Sequence, residues 1–232
     1  MKIVVFTDTH ANFPALQAMA REIKREGYDA AFHTGDAVGL GPWPVETIEL
    51  LGEIPRLNLL TGNHDAWMCG GLPKGAAPWL EEHYAWLAGR VSRRHINAAA
   101  AWPYLMEHEF EGVRTAFVHY ALSSCGRQVS LPISDQLTTD LDALLGRHSS
   151  LLVFHGHRHK ASDVKGKVRY INPGALGCWH KPAARYAIVR FHKRKVSIRH
   201  KAIPYDQSEL LDGFATRKVP NYKLILASYF TH

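Results

Sequence analysis

A short apolar run that stops at a cluster of polar, proton- or metal-binding side chains occurs five times in this chain, and that repetition limits what it can fold into. The fullest instance is Leu57–Leu60, followed by Thr61-Gly62-Asn63-His64-Asp65. The others are residues 2–7 with Asp8 and His10, Ala30–His33 with Asp36, Val113–Val118 with His119, and Leu151–Phe154 with His155-Gly156-His157-Arg158-His159. Asparagine offers a metal a neutral carbonyl oxygen, and imidazole can ligate or carry a proton. Open α/β sheets place their chemistry in the crevice outside the strand ends, so groups spread from residue 8 to residue 159 can converge there.

Between the runs the spacing changes from that of strands to that of helices. Pro14 stands early in a helical pattern, where its missing N–H is harmless, with Leu16, Met19, Ala20 and Ile23 on one face and Gly27 at the close. Val45–Leu51 predicts a second helix, so residues 2–60 read as a βαβαβ unit with parallel strands. Pro78–Gly89 and Val91–Ala101 predict two further helices, with Trp79, Leu80, Trp86 and Leu87 as a packing stripe. Tyr104–Glu109 and Val113–Val118 predict paired strands turning near Glu111-Gly112. Leu131–Gly146 contains a helix with Ser134 as its cap, and Val168–Ile171 is a strand ending in Asn172-Pro173-Gly174. Tyr186–Phe191 and Val196–Arg199 predict a hairpin through Lys193-Arg194, Gln207–Thr216 a helix, and Tyr222–Tyr229 an apolar tail that packs back. The expected architecture is α/β, with two mixed β-sheets packed as a sandwich between flanking helices, in a single domain over residues 1–232.

Composition removes several classes. The hydrophobic fraction of 46% and charged fraction of 21% are those of a globular protein, and no apolar run approaches the roughly 20 residues of a membrane span. Met1–Phe6 runs directly into Thr7-Asp8 and reads as a strand rather than a signal peptide. Cys69, Cys125 and Cys178 are odd in number and scattered, which argues against a disulfide framework and for the cytoplasm. The net charge of +7 comes largely from residues 158–201, where thirteen Lys and Arg, Arg185 among them, face only Asp163. That excess fits a solvated strand face, or an attraction to phosphate-rich partners such as nucleic acid. Cys125 and Cys178 fall in loops on the expected site side, where packing is the plain reading.

Mixed imidazole, carboxylate and amide ligands without an obligatory thiolate suit Mn²⁺, Fe, Ni or Zn²⁺ better than Ca²⁺ or Mg²⁺. The donors are too many for one tetrahedral ion, and two ions about 3.5–4 Å apart are a known arrangement for phosphoryl displacement. Asp8-Thr9-His10, Gly35-Asp36, Gly62-Asn63-His64-Asp65, His119 and Gly156-His157-Arg158-His159 resemble, in that order, the motifs of the calcineurin-like metallophosphoesterase family. Gly35–Pro42 and Asn172-Pro173-Gly174 resemble its YfcE-like bacterial and archaeal phosphodiesterase branch. The resemblance implies two divalent transition-metal ions, Mn²⁺ foremost. Asp8, His10 and His159 would hold one and Asn63, His119 and His157 the other, with Asp36 bridging. It also implies that water attacks without a covalent enzyme intermediate, that His64 protonates the leaving group, and that Asp65 orients its neighbours. His155 is expected in a supporting or core role, while Asn12 and Arg158 are candidate substrate contacts.

Two departures narrow the activity. Protein phosphatases of the superfamily carry Gly-Asp-x-x-Asp-Arg-Gly, but here Gly39 and Leu40 replace the Asp that would buttress the catalytic histidine and the Arg that would grip phosphate. Tyr120-Ala121 follow His119 where relatives carry Gly-Ser or Gly-Thr. The leading expectation is a metal-dependent phosphodiesterase or nucleotide phosphatase acting on small phosphate esters. A dinucleoside polyphosphate hydrolase, a nucleic-acid-end-processing enzyme and a catalytically silent scaffold are the alternatives. The physiological ester and oligomeric state are not legible in the chain.

Overall fold

The computed structural model describes residues 1–122, 126, 138–146 and 150–230. The chain opens with β1 (Lys2–Phe6), α1 (Phe13–Glu26), β2 (Ala30–His33), α2 (Pro44–Glu53) and β3 (Leu57–Leu59). It continues through α3 (Asn63–Gly70), α4 (Pro78–Ala88), α5 (Arg93–Ala100), β4 (Leu105–Phe110) and β5 (Val113–Val118). Then come α6 (Thr138–Leu145), β6 (Leu152–Phe154), β7 (Ser162–Lys165), β8 (Arg169–Asn172), β9 (Ala183–His192), β10 (Lys195–Pro204), α7 (Gln207–Thr216) and α8 (Tyr222–Tyr229).

The strands form two five-stranded mixed sheets, ordered β10-β9-β1-β2-β3 and β4-β5-β6-β8-β7. In the first, β1, β2 and β3 are parallel, and β9 joins the free side of β1 antiparallel, with Val5 opposite Ala187. In the second, β5, β6 and β8 are parallel, with β4 and β7 antiparallel on the two edges. The inner faces meet in a core that includes Ile3, Val5, Phe32, Val189, Phe117, Phe154 and Ile171. Phe32 of the first sheet stacks on Phe117 of the second, with centroids 3.9 Å apart and planes 5° apart. The outer face of the first sheet is covered by α1, α2 and α4, and α6 packs on the second through Leu141 and Leu145.

All parallel strands therefore direct their carboxyl ends to one edge of the sandwich, where the polar clusters lie. The α1 start follows from its residues: Asn12 caps it by accepting from the Ala15 N–H at 3.1 Å, and Pro14 occupies the first turn. Part of the basic excess lies on β10, whose exposed Lys195 and Arg199 line a sheet edge. Charge on an edge strand opposes pairing with another chain. Lys201 is paired with Glu26, and Arg169 holds Asp163 through two hydrogen bonds.

Three elements depart from expectation. The chain enters α3 at Asn63, directly beyond the β3 turn, although residues 63–70 carry no apolar stripe; tertiary bonds to Asp65, described below, hold the start of that helix. β7 lies at a sheet edge, alternately half-buried and exposed, and its Ser162-Asp163-Val164-Lys165 lacks an apolar run. The last apolar segment is helical, and with α7 it packs on Leu40, Trp43 and Cys178. Ser134 lies outside the described residues. No helix among the described residues is long and apolar enough to cross a membrane.

Replacing Phe117 by Ala would remove the inter-sheet stack and costs about 3–5 kcal/mol. The expected result is a lower urea midpoint at an unchanged m-value.

Candidate metal centre

The loops after the strands are tied to one another before any side chain is considered. The Asp8 and His10 N–H groups donate to the Gly35 and Asp36 carbonyls, both at 3.0 Å. Gly156 N–H donates to the His119 carbonyl at 2.9 Å, and Gly177 N–H to that of Asp8 at 3.1 Å. Asp8, His10, Asp36, His157 and His159 all adopt left-handed backbone, with φ between 48° and 69°. Such conformations cost non-glycine residues energy and persist where surrounding contacts over-determine them, most often at functional sites.

Within this cradle the donor atoms converge. His10 Nε2 and His159 Nε2 face each other at 3.0 Å, and Asp8 Oδ1 lies 3.8 Å and 3.6 Å from them. Asp36 Oδ2 is 3.9 Å from His10 Nε2 and 3.1 Å from His119 Nε2. His157 Nδ1 meets Asn63 Oδ1 at 2.9 Å. Asp36 belongs to two groupings whose ligand atoms all lie within 4.8 Å of one another, one with His10 and His64 and one with His119 and His157. A third joins His10, His159 and the buried Cys178. His157 and His159, neighbours in the His-Gly-His-Arg-His run, thus fall in different groupings, His157 with Asp36 and His119, His159 with His10 and Cys178.

A cation fits this arrangement. Ligands about 2.1 Å from a shared ion sit about 3.0–3.4 Å from each other, close to the separations observed. His119 Nδ1–H donates to the Thr34 carbonyl at 2.9 Å, which turns buried Nε2 toward Asp36 Oδ2. The facing Nε2 atoms of His10 and His159 can share one N–H···N hydrogen bond, and a cation can take the place of that proton.

The electrostatics agree. Burial raises the Asp8 carboxyl to about 7, against the pull of His119 and with the Asp36 charge adding to it. Burial acts likewise on Asp36, but the His119 and His64 charges overcome it and hold that carboxyl well below its usual range. For His119 burial opposes the charge, yet Asp36 and Asp8 lift its pKa to about 9. Burial drives His10 well down and His157 and His159 to about 3, so these rings present neutral lone pairs. In the metal-free chain a single proton on His119 stands where positive charge is wanted.

A profile of the calcineurin-like phosphoesterase superfamily domain matches residues 1–194. The chain belongs to the calcineurin-like phosphoesterase superfamily. It is 23% identical over 239 residues to uncharacterized protein MJ0912 of Methanocaldococcus jannaschii, covering 95% of this chain and 94% of that one. The crystal structure of hypothetical protein PH1004 from Pyrococcus horikoshii OT3 matches with a TM-score of 0.83 at 18% identity, over 100% of this chain and 98% of that one. That of a metallophosphoesterase from Sphaerobacter thermophilus matches at 0.74 and 22% identity, over 97% of both chains. The two structural likenesses extend the shared fold beyond residue 194, through the C-terminal helices.

In this phosphoesterase-superfamily chain Asp65 is the organiser that its place in the motif suggested. Its buried carboxylate accepts from the N–H groups of Asp36, Ala37, Val38 and Gly62, at 2.8, 3.0, 3.2 and 2.9 Å. Burial and the Asp36 charge raise it to about 7, while the Gly62 and Val38 N–H groups pull the other way. Gly62 is required because a Cβ there would stand 2.1 Å from Asp36 Oδ1.

The sequence reading placed α4 as a packing helix and missed its part in the site. Its Tyr84 hydroxyl lies 2.8 Å from His64 Nδ1 and donates to the His64 carbonyl at 3.0 Å. Its His83 Nε2 accepts from the Leu40 N–H at 2.9 Å. His83 and Tyr84 lie on the buried face with Leu80 and Leu87, so polar groups interrupting an apolar helical face were the available signal. A side chain at Gly39 would put Cβ 2.4 Å from His64 Nδ1, so the buttress comes from Tyr84 rather than from this loop.

Other expectations resolve differently. Asn12 does not face a substrate: it is fully buried, and its Nδ2 donates to the Gly177 carbonyl at 2.7 Å and the Tyr205 hydroxyl at 2.9 Å while Oδ1 caps α1. Arg158 is buried rather than solvated, and its Nη2 donates to the Tyr120 hydroxyl at 3.4 Å. Tyr120 packs on His157 at 4.3 Å between centroids. His155 is wholly buried with Nδ1 3.2 Å from the Gly156 carbonyl, in keeping with a supporting role. Cys125 lies outside the described residues.

Asp65→Asn would set an amide donor against backbone donors and is expected to lower metal affinity about 10–100-fold, read by metal analysis after dialysis. Protons compete for His119 Nε2 below about 9. Affinity for Mn²⁺ should therefore rise from about pH 6 to about pH 8, with proton release measurable by calorimetry in two buffers.

Proposed function

We propose that this chain is a dinuclear metal-dependent phosphoesterase working as one domain over residues 1–232. The observation that carries the reading is the sharing of Asp36 between donor groups on either side of it. Asp8, His10 and His159 hold one divalent transition-metal ion, Asn63, His119 and His157 the other, and Asp36 bridges them. Mn²⁺ suits this oxygen and imidazole set, and Fe, Ni or Zn²⁺ can replace it. When bound, the ions supply Lewis acidity toward the phosphoryl oxygens and a water acidic enough to attack near neutral pH.

The chain's own residues do the rest. Asp65 fixes the backbone that carries Asp36, and the Asp36 carboxylate accepts from the His64 N–H at 2.8 Å. The His64 ring stands edge-on to His10 at 4.9 Å between centroids, beside the proposed ions. Burial lowers its pKa. The Tyr84 oxygen can accept from Nδ1–H while its own proton goes to the His64 carbonyl. That arrangement satisfies a protonated ring without a carboxylate and leaves Nε2–H to donate to the departing alkoxide.

Phosphodiesters and nucleotide monoesters are the proposed substrates, with dinucleoside polyphosphates as the nearest variant. The test is reconstitution with Mn²⁺, Fe²⁺, Ni²⁺ and Zn²⁺ against a panel of mono-, di- and pyrophosphate esters that includes an oligonucleotide. Activity should follow metal content and vanish on chelation; hydrolysis that survives full metal removal would refute the reading. His64→Ala should retain metal and slow alkyl esters about 100-fold or more, with a far smaller effect on activated aryl esters. Equal losses on both would exclude His64 as the acid. Tyr84→Phe should lower kcat on alkyl esters about ten-fold at unchanged metal content.

A further inference from the structure

Arg185 differs from the exposed and the paired members of the basic C-terminal third. Lys195, Arg190 and Arg199 are exposed, and Arg169 and Lys201 are paired. Arg185 makes no hydrogen bond or ion pair among the described residues, although its Nε and Nη2 are buried. Buried guanidinium donors without a partner are rare, because water is lost and nothing replaces it.

Its position is set by strand register. β9 runs antiparallel to β1 with Lys2 opposite Arg190 and Val5 opposite Ala187. Continued by two residues, that register brings Arg185 level with Thr7, at the sheet edge where Asp8 begins the candidate centre. The guanidinium lies over the Trp179 ring, 4.0 Å from its centroid, and Trp179 follows Cys178, whose sulfur is grouped with His10 and His159. Stacking fixes the guanidinium plane by its face and turns its Nε–Nη2 edge into the protein, where among the described residues nothing accepts from it. Burial lowers the Arg185 pKa only to about 10, so it is cationic at neutral pH, and its charge is felt at Asp8 and His159. The Arg that the protein phosphatases carry in this loop is replaced here by Leu40.

We propose that Arg185 is the anion-binding arm of this site, its Nε–Nη2 edge taking oxygens of the substrate's phosphate while Trp179 holds it in place. Naming the anion as phosphate rests on the phosphoesterase reading above. Paired N–H donors in a rigid fork match two phosphate oxygens, which a lysine ammonium cannot reproduce.

The experiment measures orthophosphate binding by calorimetry to metal-loaded wild type, Arg185→Gln, Arg185→Lys and Trp179→Leu, with metal content and melting temperature determined on the same samples. Arg185→Gln should bind phosphate at least about ten-fold more weakly at equal metal content, and raise KM for phosphate esters more than it lowers kcat. Arg185→Lys should recover only part of the affinity, and Trp179→Leu should fall between wild type and Arg185→Gln. Phosphate affinity within about twofold of wild type in Arg185→Gln, or equal to wild type in Arg185→Lys, would overturn the assignment. If Arg185→Gln melts early, the Arg185→Lys comparison decides. A wild type that binds phosphate through Arg185 but hydrolyses no ester would refute the phosphoesterase reading and leave the anion arm standing. Ester hydrolysis with KM and phosphate affinity untouched by Arg185→Gln would do the reverse.

Discussion

A single buried carboxylate, that of Asp65, gathers the backbone of two loops. Its oxygens accept from three consecutive N–H groups, at Asp36, Ala37 and Val38, and from Gly62 across the neighbouring turn. Four donors around one anion compensate for much of what its removal from water costs. Because β2 and β3 are parallel neighbours, their following loops lie side by side, and Asp65 makes them one object. Asp36, Asn63 and His64 are carried on that object, so their mutual placement is set before any ligand arrives.

The same edge of the sandwich concentrates unfavourable features: left-handed backbone at five candidate ligand residues, two buried carboxyls, and imidazoles stripped of their charge. Each is costly alone. Together they describe a negatively biased, lone-pair-rich pocket held rigid by its surroundings, an environment that a divalent cation relieves. The fold tolerates this because the inter-sheet core of stacked phenylalanines lies behind the site and is independent of it.

Two contacts outside the sequence motifs shape the site loops. Tyr84 braces His64 where an acidic loop residue is absent, and Gly39 leaves the ring the room it needs. The C-terminal helices press on Leu40, Trp43 and Cys178, which brings the last part of the chain to the site loops. Gly213 permits that contact, since a Cβ there would come within 2.3 Å of the Trp43 ring. Neither brace can be aligned with a motif, since both are contacts between segments far apart in the chain.

Local patterns accounted for most of the architecture and for the identity of the clustered residues. Strand-length apolar runs ending in Asp, Asn and His prescribe parallel strands with polar ends, and residues 30–33, 113–118 and 207–216 have the bounds that their sequence spacing predicts. Helix α3 and strand β7 escaped because their residues have no period of their own; tertiary hydrogen bonds and edge pairing shape them. Asn12 looked like a substrate contact because residue type reports chemistry but not direction, and its amide is committed to Gly177, Tyr205 and the α1 cap. The Tyr84 brace and the unpaired Arg185 were decided only by the folded chain. Each depends on distances between segments that strand register and sheet packing set, and no linear spacing encodes those distances.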